Sequence, residues 1–302
     1  MKAKEYIEEG YEYVVDIDLA QFFDTVNHDR LMARIARKIK DKRVLKLIRR
    51  YLQSGVMVSG VKTKTEIGTP QGGNLSPFLA NIVLDELDKE LKNRGHRFCR
   101  YADDCNIYVK SKRAGDRVLK SVTKYIEKQL KLRVNQRKSG TDKMNKRKFL
   151  GFRFYWKKGG RIGITIAKQV KSRIKGKYKI LTERNQGRAM SYVISKINEY
   201  SRGMINYFAI ADGKTFFNEI EQWLRRRLRM YIWKQWKNCK TKCKNLRKLG
   251  LKRIVAIKFS YTRKGYWRIA NSPILAYTMT NEYFKDLGLQ SLSKKFKQLQ
   301  MF

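Results

Sequence analysis

The sequence is poor in acidic residues, histidine and cysteine, and it contains no long apolar run. Its 302 residues include 26 Asp+Glu against 70 Lys+Arg, with two His and four Cys. Four cysteines in a chain of this length do not make a disulfide framework. Cys239 and Cys243 are spaced for one helix face, but no second ligand pair accompanies them, which argues against a zinc site or an HNH-type zinc nuclease module.

No apolar run approaches the ~20 residues of a transmembrane helix, and no secretory signal opens the chain. We therefore expect a cytoplasmic protein with free thiols and no membrane partner. The net charge of +44 is unevenly divided, because residues 1–154 carry 35 basic and 19 acidic side chains, whereas 155–302 carry 35 and 7. This excess in the second half predicts a surface that binds nucleic acid, since neutralising phosphates releases counterions.

The pattern of apolar residues changes along the chain. Residues 13–19 alternate between apolar and polar, which predicts a strand with one face on a core. Helical and hairpin patterns then follow each other as far as 149–155, and beyond about residue 165 the spacing is helical throughout. This order predicts an α+β fold with an antiparallel sheet, followed by an all-helical region after a boundary near Gly159-Gly160.

Two acidic segments stand out in this basic chain. One is Asp16-Ile17-Asp18 at the end of the first predicted strand, and the other is Asp103-Asp104 at the tip of a predicted hairpin. Three carboxylates brought together there could hold two divalent ions about 4 Å apart for chemistry on a phosphate. A single Asp-Asp turn is more often a solvated loop. Asp16 and Asp18 share a strand face, so strand geometry leaves open which of them would bind metal.

Several motifs in order carry a resemblance to a known family. They are Val15–His28, Gly68–Pro77, Arg100–Asp104, Leu132–Ser139 and Phe149–Phe152. The chain resembles bacterial group II intron reverse transcriptase/maturases, most of all the class that lacks an endonuclease domain. The resemblance implies a polymerase palm over residues 1–158, a helical thumb or maturase domain over 159–250, and a basic nucleic-acid-binding tail over 251–302.

The resemblance also implies roles for individual residues. The implied metal positions, for two Mg²⁺ ions, are Asp18, Leu19, Asp103 and Asp104. Asp18 is preferred to Asp16 because the family's ligand lies five residues before the aromatic side chain that meets the incoming sugar. That side chain is Phe23, a gate against the 2′-hydroxyl of ribonucleotides, and Phe22 beside it is expected in the core. Gln71, Gly72 and Tyr101 are implied at the nucleotide, and Lys138 near the leaving pyrophosphate.

The implied activity is RNA-directed DNA synthesis combined with intron RNA binding that assists splicing. The partners would be intron RNA, an RNA template with a DNA primer, and deoxynucleoside triphosphates, in a ribonucleoprotein of the bacterial cytoplasm or nucleoid. Basic residues expected on nucleic acid are Arg225, Arg226, Arg227 and Arg229, facing outward from a helix over 216–237, and Arg263, Lys264 and Arg268.

One part of the family pattern is not found. The fingers region that precedes the first palm motif would lie before Met1, which suggests a truncated frame, a fragment, or a chain that obtains fingers from a partner chain or dimer. The alternative function is therefore an RNA-binding splicing cofactor that is catalytically incomplete. A reverse transcriptase of a phage-defence or diversity-generating system is disfavoured by the maturase-like residues 165–250.

Overall fold

The computed structural model describes residues 2–54, 56–58, 61–63, 68 and 74–301. The chain divides into two compact units, Met1–Gly163 and Ile164–Phe302. The first combines helices with an antiparallel sheet, and the second is mainly helical. The predicted α+β class, an antiparallel sheet followed by a helical region, is confirmed.

The first unit is built around one four-stranded sheet and the helices that pack on it. Its elements are α1 (Lys2–Glu8), β1 (Tyr13–Ile17), α2 (Phe22–Thr25), α3 (His28–Lys38), α4 (Lys42–Gln53), β2 (Val56–Val58), β3 (Val61–Thr63), α5 (Ser76–Asn93), β4 (Arg97–Tyr101), β5 (Asp104–Val109), α6 (Lys112–Tyr125), a π-helical turn (Ile126–Leu130), β6 (Gly140–Lys143), β7 (Phe152–Trp156) and β8 (Ile162–Ile166), along which the chain enters the second unit.

The four-stranded sheet has the order β4-β5-β1-β6, and every neighbouring pair is antiparallel. One face is apolar. Val15 and Ile17 of β1 and Ile107 of β5 are fully buried there, in a core shared with Leu84 of α5 and Val122 of α6. The period of two in β1 therefore places its alternate residues on the opposite, polar face.

Helix α1 covers one end of that polar face. Ile7 is fully buried, and the ring of Tyr6 lies 5.7 Å from that of Tyr108 on β5. The other end of the face is where β1 finishes and β5 begins. Asp18 keeps 30% of its side-chain surface exposed there. Among the described residues, a helix covers one end of this face and none covers the end with the acidic residues, which is called the open end below.

The structure adds two local details that the apolar pattern did not specify. Residues 30–53, whose apolar spacing is helical, belong to two helices, because Asp41 caps α4 by accepting hydrogen bonds from the amides of Arg43 and Val44. Strand β6 had no predicted counterpart, since its sequence Gly-Thr-Asp-Lys lacks an apolar alternation. The pattern over 56–67 predicts a hairpin, and β2 and β3 within it are paired antiparallel, while residues 59–60 and 64–67 lie outside the described part of the chain.

The second unit is an assembly of helices around α9. Its helices are α7 (Lys168–Leu181), α8 (Met190–Phe208), α9 (Lys214–Gln235), α10 (Cys239–Lys248), α11 (Arg253–Ser260), α12 (Tyr266–Ile269), α13 (Pro273–Thr278), α14 (Asn281–Asp286) and α15 (Leu292–Leu299). Phe217, Leu228 and Tyr231 of α9 are fully buried, and the Phe217 ring lies 4.3 Å from that of Phe296 on α15. The long helix predicted over 216–237 is therefore present and forms the centre of this unit.

None of the helices described is both long and apolar enough to span a bilayer. The predicted boundary at Gly159-Gly160 precedes the division between the two units by a few residues. The second predicted boundary, between residues 250 and 251, lies between α10 and α11 within the second unit. The assignment of 159–250 to a thumb and of 251–302 to a separate tail remains a prediction.

Candidate functional site

The register between β1 and β5 brings the two acidic segments together. Ile17 pairs with Cys105 and Asp16 with Asn106, so the next positions along, Asp18 and Asp104, are opposite each other. Paired residues of antiparallel strands point to the same face. Asp16, Asp18 and Asp104 therefore lie on the polar face of the sheet, at its open end.

Asp103 is positioned by a tight hairpin turn. Tyr101 pairs with Asp104, which leaves only Ala102 and Asp103 between the strands, and Ala102 has a φ of 52°. Arg100 holds this turn by donating to the Ala102 carbonyl over 2.9 Å. Tyr101 itself is 66% exposed at the same tip.

Arg100 is fixed in turn by α5, a connection that the sequence did not reveal. Its guanidinium group makes two parallel hydrogen bonds, of 2.7 and 2.6 Å, to the carboxylate of Asp88. A third bond of 2.9 Å goes to the side-chain oxygen of Asn81. This bidentate pair points away from the polar face, because Arg100 and Asp104 are not on the same side of their hairpin. It supports the acidic turn from the opposite side.

The acidic end of the face is electrostatically crowded. The pKa of Asp104 is raised by partial burial and then by the charges of Asp103 and Asp18. Burial also raises the pKa of Asp16, to about 6, against the attraction of Arg147 and with a contribution from Asp104 and Asp18. These carboxylates destabilise each other's charged forms, so a cation among them would be favourable.

A short turn after the π-helical segment fixes the backbone of Asp18. The amide of Asp18 donates to the Ser139 hydroxyl over 3.0 Å, and the Asn135 amide donates to the Asp18 carbonyl over 2.8 Å. The same turn brings the Lys138 ammonium group to 3.7 Å from Asp18 Oδ2. The predicted residues Asp18 and Lys138 are thus neighbours, and Asn135 and Ser139 are additional residues that hold them.

Leu19 and Asp16 have different surroundings. Leu19 is 6% exposed and forms an isolated antiparallel β-bridge with Val134. The residues on either side of these two make the hydrogen bonds of the bridge, so the Leu19 carbonyl accepts none of them. Because the Leu19 side chain is apolar, its carbonyl oxygen is the atom of this residue that could contact an ion. Asp16 Oδ2 lies 3.5 Å from Arg147 Nη1, and Arg147 also contacts Asp142 at 3.0 Å. Asp16 is therefore occupied by a cation from the protein.

Phe22 and Phe23 differ in burial, as the sequence suggested. Phe22 is 3% exposed within the core, whereas Phe23 is half-buried and packs edge-on against it with 5.3 Å between ring centres. Gly68 lies against the end of α2, because a Cβ added to it would be 2.9 Å from the carbonyl oxygens of Phe23 and Asp24. The predicted nucleotide-binding residues Gln71 and Gly72 lie outside the described residues.

The donor atoms at this end of the sheet fit a hard divalent cation. Within the described ranges, no three carboxylate, imidazole or thiolate side chains are close enough to surround an ion. The donors offered by Asp18, Asp103, Asp104 and the Leu19 carbonyl are nevertheless all oxygen, as Mg²⁺ prefers. Burial, followed by the charges of Asp103 and Asp18, raises the pKa of Asp104, so a cation beside this carboxylate would favour its ionised form.

The arginines of α9 make contacts within the second unit, and their predicted contact with nucleic acid stays a prediction. Arg227 donates to the carbonyls of Lys179 and Thr182, at 3.0 and 3.1 Å. The others behave similarly. Arg225 pairs with Glu221, Arg226 stacks on Trp267 and donates to its carbonyl, and Arg229 donates to the Met279 carbonyl. These guanidinium groups are half-buried and join α9 to neighbouring segments, which is what their forked donors allow.

The three basic residues predicted further along the chain are exposed. Arg263 and Lys264 lie between α11 and α12, and Arg268 lies on α12. Within the described residues no carboxylate pairs with them. Their position is compatible with the predicted contact to nucleic acid, which remains untested.

Two protein families match this chain, one in each unit. A family described as "Reverse transcriptase (RNA-dependent DNA polymerase)" matches residues 3–154, half of the chain. A family described as "Group II intron, maturase-specific domain" matches residues 171–250. Both matched regions contain the features described above, the acidic end of the sheet in the first and helix α9 in the second.

Individual relatives match parts of the chain. Protein YkfC of Escherichia coli (strain K12) is 30% identical over 167 residues, 44% of this chain and 44% of its own. The group II intron-encoded protein LtrA of Lactococcus lactis subsp. cremoris is 45% identical over 80 residues, 26% of this chain and 13% of LtrA. The apo telomerase structure from Candida Tropicalis is 13% identical with a TM-score of 0.45, covering 99% of this chain and 55% of that one. The chain thus spans less than half the length of these curated relatives.

Proposed function

Because the chain belongs to the reverse transcriptase (RNA-dependent DNA polymerase) family and carries a group II intron maturase-specific domain, we propose that it copies RNA into DNA and assists intron splicing. Its substrates would be deoxynucleoside triphosphates and a DNA primer paired with an RNA template. Its second unit would bind the intron RNA. A partner chain that closes over the nucleotide, and a place in the cytoplasm or nucleoid, are further parts of this proposal.

The observation that carries the proposal is the pairing of β1 with β5, which sets Asp18 opposite Asp104 at the open end of the sheet. Asp18, Asp104, Asp103 and the Leu19 carbonyl are the groups that would hold Mg²⁺. When bound, Mg²⁺ activates a 3′-hydroxyl and neutralises charge on the phosphates. Asp16 is less suited to this role, because it already forms an ion pair with Arg147.

Other residues would position the substrate and move a proton. Phe23 would lie against the sugar and exclude a 2′-hydroxyl, and the exposed Tyr101 would lie beside the primer end. Lys138 would donate a proton from its ammonium group to the leaving pyrophosphate, or screen its charge. Ser139 and Asn135 would keep the Asp18 backbone in place while this happens.

The test is primer extension on an RNA template with Mg²⁺, comparing the wild type with Asp18→Asn and Asp104→Asn. A matched control is Asp116→Asn, which removes one exposed carboxylate from α6. We expect each site variant to lower the extension rate by roughly 100-fold or more, since each removes charge that acts on the reacting phosphate. Asp116→Asn should extend like the wild type, and chelation of Mg²⁺ should stop all of them.

RNA binding separates this function from the alternative of a splicing cofactor without polymerase activity. If the wild type and both site variants bind intron RNA equally but none extends a primer, the polymerase assignment is wrong for this chain. If the wild type extends and the site variants only bind, both parts of the proposal are supported.

A further inference from the structure

The longest stretch of the chain without an acidic residue lies in its second half. Residues 222–281 contain 17 Lys and Arg side chains and not one Asp or Glu. Within such a stretch, a cation can be neutralised only by carboxylates from elsewhere in the fold or by a ligand. The positions of these cations therefore indicate where an anionic partner would bind.

Helices α10 and α11 form a hairpin in the middle of this stretch. Gly250, with a φ of 93°, terminates α10, and the fully buried Leu246 and Ala256 hold the two helices in the unit. Between the helices lies an open cleft of about 1110 Å³. Six cations line it, namely Lys240, Lys244, Arg247, Lys248, Lys252 and Arg253.

These six cations differ from the arginines of α9. All six are exposed, and none has a carboxylate partner among the residues that the structure describes. The α9 arginines, in contrast, donate to main-chain carbonyls or to Glu221. The hairpin therefore presents uncompensated charge to solvent, whereas α9 uses its charge inside the fold.

The arrangement of the cations fits a phosphate backbone better than separated bases. Lys240, Lys244 and Lys248 recur every four residues and so follow one face of α10 at a spacing of about 6 Å. A row about 12 Å long would face roughly three or four phosphates of one strand. Tyr261 is the one aromatic side chain among the described residues that line the cleft, so the stacking platform typical of single-strand binding is small.

We propose that the cleft between α10 and α11 binds the phosphate backbone of double-helical RNA. The anionic class of the ligand follows from the charge, and the choice of RNA rests on the function proposed above. Lysine ammonium groups contact phosphates as point charges and carry no base information, so binding is independent of sequence. The surface begins within the maturase-specific match and continues past its end at residue 250.

The first test measures the affinity of the full chain for a 20-base-pair RNA duplex over a series of KCl concentrations. The cleft variant is Lys240→Gln/Lys244→Gln/Lys248→Gln. The control variant is Lys285→Gln/Lys294→Gln/Lys297→Gln, which removes the same charge from exposed positions of α14 and α15. The slope of log affinity against log salt should become shallower by about 2 to 3 in the cleft variant and stay at the wild-type value in the control.

The second test uses the unmodified chain. Cys239 and Cys243 line the same cleft and are partly exposed, so their alkylation by iodoacetamide can be followed by mass spectrometry. The RNA duplex should slow alkylation of both thiols at least threefold, and this effect should disappear at high salt. Undiminished alkylation under saturating duplex would overturn the proposal without any substitution.

Other polyanions decide between ligand classes. Single-stranded RNA, duplex DNA and vesicles containing anionic phospholipid are compared at equal salt. Tighter binding of any of these than of duplex RNA, or equal slopes for the cleft and control variants, overturns the proposal. Primer extension is measured in parallel. If the cleft variant extends a primer and its salt slope equals that of the wild type, only this inference fails. If the cleft variant has a shallower slope than the wild type but neither protein extends a primer, only the polymerase assignment fails.

Discussion

The imidazole Nε2 of His28 donates a hydrogen bond of 2.5 Å to the carbonyl oxygen of Gly68. His28 is buried at the start of α3, and the Gly68 amide in turn donates to the Val26 carbonyl over 2.7 Å. Both groups of Gly68 are therefore fixed to the segment that carries Phe23. This contact joins the proposed sugar gate to the start of the Gly68–Pro77 segment, two regions that the family pattern treats as separate motifs.

Gly68→Ala should destabilise the first unit through this contact. The new Cβ would lie 2.9 Å from the carbonyl oxygens of Phe23 and Asp24, and the φ of 92° is itself unfavourable for alanine. We expect a loss of about 2–3 kcal/mol in the free energy of urea unfolding. Gly10→Ala is the control, since Gly10 has a φ of 91° with nothing near its Cβ, and it should cost only about 1 kcal/mol. Equal costs would mean that the close approach is unimportant.

Phe23→Ala should change sugar selection more than it changes stability. Phe23 is half-buried, so its removal opens space at the surface rather than a closed cavity. The rate of ribonucleotide incorporation relative to deoxynucleotide should rise at least tenfold, because the ring no longer occupies the position of the 2′-hydroxyl. Phe22→Ala is the contrasting variant. It empties a site that is 3% exposed and should cost about 3–5 kcal/mol of stability instead. An unchanged incorporation ratio for Phe23→Ala would reject the gate.

Ser139→Ala should lower kcat while leaving primer–template affinity intact. The Ser139 hydroxyl accepts from the Asp18 amide, so its loss leaves that amide without its partner and loosens the turn that carries Lys138. We expect a decrease of about tenfold in kcat. Ser139→Thr retains the hydroxyl and should restore it.

Ser111→Ala provides the control for this effect. Ser111 also accepts from a backbone amide, that of Ala114, but at the start of α6. It should lower stability by about 1 kcal/mol without changing kcat. A rate decrease of similar size in Ser111→Ala would show that Ser139 acts through general stability rather than through Asp18.

Arg227→Gln tests whether the α9 arginines are structural. Its guanidinium group donates to the Thr182 hydroxyl over 2.9 Å as well as to the two carbonyls at the end of α7. Losing these charge-assisted bonds should cost about 2 kcal/mol of unfolding free energy. Arg263→Gln, at an exposed position without a carboxylate partner among the described residues, should leave stability unchanged. A stable Arg227→Gln protein with a shallower salt slope for RNA would instead support the predicted contact of Arg227 with nucleic acid.

The sheet of the first unit could be predicted because its strands have a simple pattern. The alternation in β1 and the apolar strands on either side of Asp103 are direct consequences of one buried face. The resemblance then distinguished Asp18 from Asp16, and the contact between Asp16 and Arg147 agrees with that choice. Strand geometry alone could not have made it.

The support of the site could not be predicted from local sequence. Arg100 and Asp88 are twelve residues apart and pair only after α5 has packed on the sheet. The same limit applies to Arg227, since four arginines within the five residues 225–229 look like a solvated face. Their contacts depend on which main-chain carbonyls neighbouring segments bring within reach, and the sequence does not reveal how those segments are arranged.

Glu221 gives the second unit a defined dependence on pH. The carboxylate accepts from the Ser293 amide at 2.9 Å and from the Ser291 hydroxyl at 3.1 Å, both at the start of α15, and it pairs with Arg225 at 2.7 Å. Burial raises the pKa of Glu221, but these hydrogen bonds and the charge of Arg225 together lower it below its ordinary value of 4.5. The ionised form is therefore favoured in the folded state.

A pKa that is lower in the folded than in the unfolded chain adds stability above the unfolded value, and this stability is lost as the pH falls through the folded value. Glu221→Gln should therefore be less stable than the wild type by about 1–3 kcal/mol near pH 7, because it replaces a charged acceptor of several hydrogen bonds. The difference should shrink as the pH drops below about 4.5 and the wild-type carboxylate becomes protonated. Urea unfolding from pH 3.5 to 7.5 measures this, with Glu199→Gln as the exposed control. A difference that stays constant over this range would mean that Glu221 contributes through packing rather than through its charge.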